Sequence, residues 1–415
     1  MGKFLRRRLF APLVVFFAVV GPGIITANVD NDAGGITTYS LAGGRYGYTL
    51  LWALIPVTIA LVVVQEMCAR MGAVTGKGLG DLIRERFGVK LTFYLMLGLL
   101  FTNLGNIASE FSGLAAGGEI FGPSRYITVP VGAFLVWWLV IKGTYRQVEK
   151  VFLFACLFYI TYFVSGALAH PQWGEVARHT VMPTLSFQPA DLTMLIGVVG
   201  TTIAPWMQFY LQSAVVDKGI TARDYAYSRT DVIVGCVVAA LVAYFIVLTT
   251  AASIFHAGKP IETAKDAALA LGPLAGKYCS QLFAFGLVNA SLFAASILPL
   301  STAYCICEAM GWPRGLNNAF AEAPQFYGLY TGLIVIGAGL VLLPGAPLLQ
   351  IMYLSQVING MLLPFVLIFM LVLINDHLLM GRYRNSPTFN LIAWATVIVM
   401  NLLTVALAVT SLLPS

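Results

Sequence analysis

The sequence has very little charge. Only 10% of its 415 residues are Asp, Glu, Lys or Arg, against about 25% in an ordinary soluble domain. A chain that is 59% hydrophobic cannot keep most of its surface in water. Histidine is scarce too: His170, His179, His256 and His377 all fall near the ends of apolar segments, where none can ligate a metal or relay a proton at the middle of a membrane. The six cysteines, Cys68, Cys156, Cys236, Cys279, Cys305 and Cys307, form neither a disulfide framework nor a C-x-x-C pair. Cys305-x-Cys307 could bind a soft metal, but free packing thiols account for it better. No low-complexity tract or flexible linker divides the chain, and no segment between apolar runs is long enough for a second domain.

What is present is a succession of long apolar runs. About 20 such residues cross a hydrocarbon core, and in lipid a segment must satisfy its own backbone hydrogen bonds, so a helical bundle is expected. We read eleven spans, near 10–28, 48–68, 92–116, 127–142, 149–169, 192–216, 230–254, 279–306, 325–343, 348–374 and 390–411. The expected organisation is one transmembrane domain over 1–415, with repeats at about 10–170 and 190–375 and an extra helix at 390–411. Met1–Phe10 carries Lys3, Arg6, Arg7 and Arg8 and superficially resembles a signal peptide. Its removal would discard the segment leading into an acidic cluster, so we read it as part of the first span.

With the N-terminus inside, 18 of the 24 basic residues fall in inner segments, leaving Arg45, Arg125, Arg178, Lys259, Lys265 and Lys277 outside. Basic residues favour the cytoplasmic side, so the N-terminus is expected inside and, after eleven spans, the C-terminus outside. The net charge of +6 is then a topology signature. Its dispersal over many loops gives no support to nucleic-acid binding, and the lipid bilayer is the expected partner.

All Lys and Arg are expected at or beyond segment ends, so the carboxylates inside spans stand out: Asp30, Asp32, Glu66 and Glu110. An Asp at a helix centre costs roughly 2.5–3.5 kcal/mol on the insertion scale, so such groups usually meet a cavity, a partner or an ion. Asp30 and Asp32 could lie in an outer turn after a completed first span. Against that, Asn28-Val29-Asp30-Asn31-Asp32-Ala33-Gly34-Gly35 is rich in permissive residues that let backbone carbonyls, Val29's among them, turn inward, with a short half-helix at Ile36–Gly43 following. The sixth span has its own interruption at Thr201-Thr202-Ile203-Ala204-Pro205-Trp206. Pro205 lacks an N–H, so the Thr201 carbonyl loses its helical donor. Alone, this is as well read as a proline kink. Breaks in the first and sixth spans, however, are the corresponding places in two five-helix halves. Glu66 pairs with Arg70 one turn on, which gives it a structural role. Glu110 could be a proton site or line an aqueous cavity.

Several motifs carry a resemblance over nearly the whole chain. They are Gly21-Pro22-Gly23, Asp32-Ala33-Gly34-Gly35-Ile36, Gly47-Tyr48-Thr49-Leu50-Leu51-Trp52, Ala69-Arg70-Met71-Gly72-Ala73-Val74-Thr75-Gly76 and Ser355-Gln356-Val357 before Leu363-Pro364-Phe365. Together they resemble the natural resistance-associated macrophage protein (NRAMP) metal transporters, and more closely the NRAMP-related magnesium transporters. The resemblance implies an all-α integral membrane protein with a LeuT-type 5+5 inverted repeat plus an eleventh helix, helices 1 and 6 being broken at the midplane. It implies a multi-pass protein of a prokaryotic inner or plasma membrane, a divalent cation as substrate, no cofactor and no enzymatic activity. By the same resemblance Asp32 takes the place of the metal-binding Asp, Gln356 that of a tenth-helix Gln, and Thr201 that of a backbone-carbonyl ligand.

The departures carry the specificity reading. The family's Asn ligand is Gly35 here, its sixth-helix Met-Pro-His reads Ala204-Pro205-Trp206, Tyr210-Leu211-Gln212-Ser213 is offset by one residue, and the third-helix Asp of the proton route is Ile107 while Glu110 survives. A thioether favours softer metals, and Ala204 removes it. A roomier, oxygen-only site would suit Mg²⁺, which dehydrates reluctantly. Asp30 could supply a second charge. Transport of Mg²⁺, with Mn²⁺ as a further candidate, is therefore expected by alternating access without proton coupling. Glu110 and Trp206 are candidates for a proton or cavity role. A proton-coupled Mn²⁺ or Fe²⁺ importer and a divalent cation channel are the competing readings. An integral membrane enzyme has no Ser/His/Asp set to support it.

Overall fold

The computed structural model describes residues 21–142, 150, 154, 156–184, 186–255, 258, 261–316 and 318–412. The basic run Lys3, Arg6, Arg7 and Arg8, the first half of the expected first span, Arg146, His256 and Lys259 lie outside these residues. In chain order the main helices are α1 (Pro22–Asn28), α2 (Ala33–Tyr46), α3 (Leu51–Thr75), α4 (Leu79–Phe87), α5 (Val89–Phe121), α6 (Arg125–Lys142), α7 (Ile160–Leu168) and α8 (Trp173–Val181). They continue with α9 (Pro189–Thr202), α10 (Pro205–Asp217), α11 (Tyr225–Thr250), α12 (Cys279–Met310), α13 (Pro324–Val341), α14 (Leu348–Asn375) and α15 (Pro387–Leu412).

Among the described residues, nine helical segments are long and apolar enough to cross a membrane. The arrangement is the LeuT-type inverted repeat, in which α1–α2 and α9–α10 are the broken first and sixth helices and α15 is the addition. The halves of the first broken helix lie mainly against the second repeat, whereas α9 packs most on α14 of its own repeat. α1 packs on α11 and α10, while α2 packs on α11, α14, α9 and α5. α5 and α12 form an extensive pair beside them, and α15 covers α14, α9 and α3. Outward-facing apolar side chains such as Phe101, Phe134, Leu391 and Leu402 are what a lipid solvent requires.

The helices overrun the expected spans for local reasons. α2 is a 14-residue helix from Ala33 to Tyr46, longer than the half-helix expected at Ile36–Gly43, because Asp32 caps its first turn. α3 runs seven residues past the expected end to Thr75, where Gly76 at φ 64° supplies the left-handed stop. Arg70 consequently sits inside a spanning helix and is only 8% exposed, which corrects the expectation that every Lys and Arg lies at a segment end. Its charge meets Glu66 at 3.0 Å, and its guanidinium donates to the carbonyls of Tyr383 and Arg384 and to the side chain of Asn385. The structural role read for Glu66 is the one observed.

Candidate metal site

The break in the first helix is built by a change of backbone conformation within four residues. α1 ends at Asn28, Val29–Asn31 form a tight 3-10 turn, and Asp32 is extended at φ −70°, ψ −171°. The Asp32 carboxylate turns back and accepts the Gly35 N–H at 2.7 Å, an N-cap that satisfies an otherwise unpaired donor of α2. The break in the sixth helix follows from Pro205. The residue before a proline is disfavoured in the helical region, and Ala204 is extended at φ −67°, ψ 138°. Pro205 then starts α10 at a position where its missing N–H costs nothing, while the carbonyl of Thr201 is left without an i+4 donor.

The two breaks meet. A Cβ on Gly35 would collide with the carbonyl oxygen of Asp30 and lie 3.3 Å from the Thr201 hydroxyl. A Cβ on Gly34 would collide with the Gln356 amide nitrogen. Glycine at 35 is thus required by the backbone of the first helix's own turn, while at 34 the facing group is the movable amide end of Gln356 on α14. The Tyr39 hydroxyl bonds that of Thr202 at 2.7 Å, tying α2 to the end of α9. Asp30, Asp32, Thr201, Ala204 and Gln356 are each at most 4% exposed, Val29 is fully buried, and Gly35 lies buried among them.

The roominess expected from Gly35 is only partly there. The space a longer side chain would fill holds the Asp30 carbonyl, so the chain substitutes a backbone oxygen for a side-chain amide. The Gly35 N–H and the Ala204 carbonyl are occupied within the protein: the first donates to Asp32, and the second accepts from the Met207 N–H at 3.1 Å. A carbonyl oxygen that accepts one N–H keeps a second lone pair, so the Ala204 carbonyl is still able to meet a cation, while Gly35 contributes its small size. Trp206 is 1% exposed and packs in the core with its carbonyl accepting from Ser301.

Glu110 from α5 closes the other side of the break. One of its oxygens accepts the Ala33 N–H at 3.2 Å and its carboxyl abuts that of Asp32. Among the described residues, no donor reaches its second oxygen or either carboxylate oxygen of Asp30, and no basic side chain acts on Asp30, Asp32 or Glu110. Three acidic groups therefore share one buried region with no cationic partner among the described residues. Among the described residues, no three of His, Cys, Asp and Glu gather as a metal-binding cluster, so a cation here must also draw on carbonyl, hydroxyl or amide oxygens. The thioether of Met352, one turn before Gln356 on α14, is engaged by the Thr37 hydroxyl at 3.5 Å.

Sequence reasoning missed several groups around this centre. Asp231 on α11 is 1% exposed and accepts the N–H groups of Gly21, Gly23 and Ile24 at 3.2, 2.7 and 3.3 Å, so it anchors the start of α1. Gly23 and Gly235 permit this approach, since a Cβ on either would strike the facing backbone. Asn106 and Asn359 form a reciprocal amide pair at 2.8 and 3.0 Å next to Gln356. Charge was the screening signal, which passes over neutral amides, and Asp231 stands at the edge of an apolar run.

At one end of the bundle a polar latch joins α10 and α4 to α12. Glu308, fully buried, accepts from Ser213 at 2.6 Å and from the Gly80 N–H at 3.0 Å, and pairs with Arg314 at 3.3 Å. Arg314 also pairs with Asp81, and Tyr304 donates to Asp217. At the opposite end a cavity of about 450 Å³, lined by Glu119, Arg125, Glu262, Lys265 and Met352 among others, reaches down to α14.

Known proteins bear the same architecture. A family model described as natural resistance-associated macrophage protein-like matches residues 23–410. The divalent metal cation transporter MntH of Deinococcus radiodurans is 28% identical, over 92% of this chain and 87% of the relative. That of Ralstonia nicotianae is 30% identical, over 90% and 86%. The solved manganese transporter of Eremococcus coleocola superposes with a TM-score of 0.75 at 21% identity, covering 95% of this chain and 87% of that one.

Proposed function

Since the chain belongs to the natural resistance-associated macrophage protein-like family, we propose that it carries a divalent cation across the membrane, with Mg²⁺ as its principal cargo, bound where the broken first and sixth helices meet. The observation that carries this reading is the buried trio Asp30, Asp32 and Glu110, in which three carboxylate oxygens find no donor and no basic partner among the described residues. Buried charge of this kind is costly unless an ion compensates it. Asp32 supplies the central carboxylate, Gln356 and the Thr201 carbonyl supply neutral oxygens, and the Asp30 and Val29 carbonyls stand on the turn beside them. All are hard oxygen donors, and Ala204 stands where the family carries a soft thioether, which favours Mg²⁺ over softer metals. A negative-inside potential contributes about 2.3 kcal/mol per charge per 100 mV, so influx of a dication runs downhill without a second coupled ion.

A second reading is a proton-coupled Mn²⁺ importer. The contact between Glu110 and Asp32 favours it, because two abutting carboxyls can share a proton that an arriving dication displaces. The relatives' names point to the same cargo class. Uptake of Mg²⁺, Mn²⁺ and Ca²⁺ into liposomes containing the purified protein and an internal pH probe separates the two. Saturable Mg²⁺ uptake without acidification is expected. Mn²⁺ uptake with Mg²⁺ excluded would overturn the cargo, and acidification strictly linked to metal entry would overturn the uncoupled mechanism.

A further inference from the structure

Gln356 ends a chain of three buried amides, each at most 2% exposed. The Asn359 amide nitrogen donates to the Gln356 oxygen at 2.8 Å and to the Asn106 oxygen at 3.0 Å, and Asn106 donates back to Asn359 at 2.8 Å. The Gln356 nitrogen donates to the Ser355 hydroxyl at 3.2 Å and points at Gly34 in the first-helix break. In this arrangement the N–H end of Gln356, rather than its oxygen, faces the first-helix break at Gly34. A donor there suits the carboxylates of the same turn. A cation requires the opposite end.

The chain can be inverted without breaking. If all three amides turn over, Asn106 and Asn359 still form a reciprocal pair, and the Gln356 nitrogen donates to the Asn359 oxygen where its own oxygen accepted before. Only Ser355 distinguishes the two arrangements. Its hydroxyl donates to the Met352 carbonyl at 2.9 Å and is therefore an acceptor toward Gln356. With the Gln356 oxygen turned inward, that bond is lost, or the hydroxyl must abandon Met352.

Resting on the placement of the cation beside Gln356 made above, we propose that Asn106, Asn359 and Gln356 form a reversible amide relay. It presents an N–H to the carboxylates in one arrangement and a C=O to a cation in the other, and Ser355 biases it toward the first. Ser355 is the positioning residue that sets cation affinity through Gln356, while Asn106 and Asn359 keep both arrangements bonded. Because the inversion moves no charge and leaves the pair bonds intact, the site can switch between donor and acceptor without exposing an unpaired polar group in the membrane.

The test is the half-saturating concentration and maximal rate of Mg²⁺ and Mn²⁺ uptake in proteoliposomes, for Ser355→Ala and Asn359→Leu, each in the native and the Gln356→Glu backgrounds, with Gln356→Ala alongside. Ser355→Ala removes the bias and should lower the half-saturating concentration by about threefold, within the worth of one hydrogen bond. Asn359→Leu removes a bond that each arrangement makes once, so half-saturation should change little. The Ser355→Ala shift should vanish in the Gln356→Glu background, where both ends of the side chain accept. A purely structural role would weaken uptake in both variants and in both backgrounds, and that result overturns the relay. If Asn359→Leu does not fold, the direction of the Ser355→Ala shift and its loss in the Gln356→Glu background decide alone. If Gln356→Ala leaves half-saturation unchanged, the cation does not meet Gln356, and the placement of the site falls together with the relay. If Gln356→Ala raises it while Ser355→Ala does not lower it, the placement stands and the relay falls.

Discussion

Asp32 does two jobs with one carboxylate. It caps α2 through the Gly35 N–H, and it contributes charge to a region with no basic partner among the described residues. The two roles can be separated, because Asn is as good an N-cap as Asp while carrying no charge. Asp32→Asn should express and melt close to the parent yet lose divalent cation uptake. Asp32→Ala should lose uptake and also about 1 kcal/mol of stability, the usual worth of a cap. Parallel measurement of melting temperature and flux checks both. Asp30 differs, since its backbone carbonyl faces Gly35 while its carboxylate meets no hydrogen-bond donor among the described residues. Asp30→Asn should weaken binding less than Asp32→Asn, as read from competition by Mg²⁺ against Mn²⁺ uptake.

At the scale of elements, both broken helices depend on small or capped positions. A methyl group on Gly35 would strike the Asp30 carbonyl, so Gly35→Ala must push the 3-10 turn away from α2. The expected outcome is a fall in cation affinity of tenfold or more with the protein still folded, because the collision moves a turn and leaves the surrounding helices packed. Equilibrium Mg²⁺ binding to the detergent-solubilised variant checks this. α1 is only seven residues long and owes its position to Asp231. Asp231→Ala would remove the acceptor of the Gly21 and Gly23 N–H groups, at about 1–3 kcal/mol for a group left unsatisfied in a buried place. A lowered melting temperature, together with faster proteolysis near residue 21, is the expected outcome.

At the scale of the whole molecule, the Glu308 and Arg314 latch closes one end of the bundle, and the cavity beside Glu119 and Lys265 lies at the other. Alternating access requires the latch to part so that α10 and α4 move relative to α12. Arg314→Ala leaves Glu308 and Asp81 without the cation between them and should favour the parted form. Cys305 and Cys307, at most 1% exposed, should then react faster with a maleimide supplied from the latch side. Unchanged labelling would show that other contacts keep that end shut.

The sequence by itself determined the solvent, the helices and the places where they break. Low charge and long apolar runs dictate spanning helices, and Pro205 and the Asp32-Ala33-Gly34-Gly35 turn act on the backbone through covalent geometry, which is local. It also singled out Asp30, Asp32 and Glu110, because a carboxylate in an apolar run is conspicuous wherever its partner lies. Only the tertiary structure decided what those groups meet. The Asp30 carbonyl filling the space at Gly35, the abutting of Glu110 and Asp32 across 78 positions, the Asp231 anchor 208 residues from Gly23 and the amide pair 253 residues apart all depend on how distant helices pack. Burial of Arg70 was hidden for the same reason: its partners lie on a turn more than 310 residues away, and a charge is read as exposed until its partner is seen.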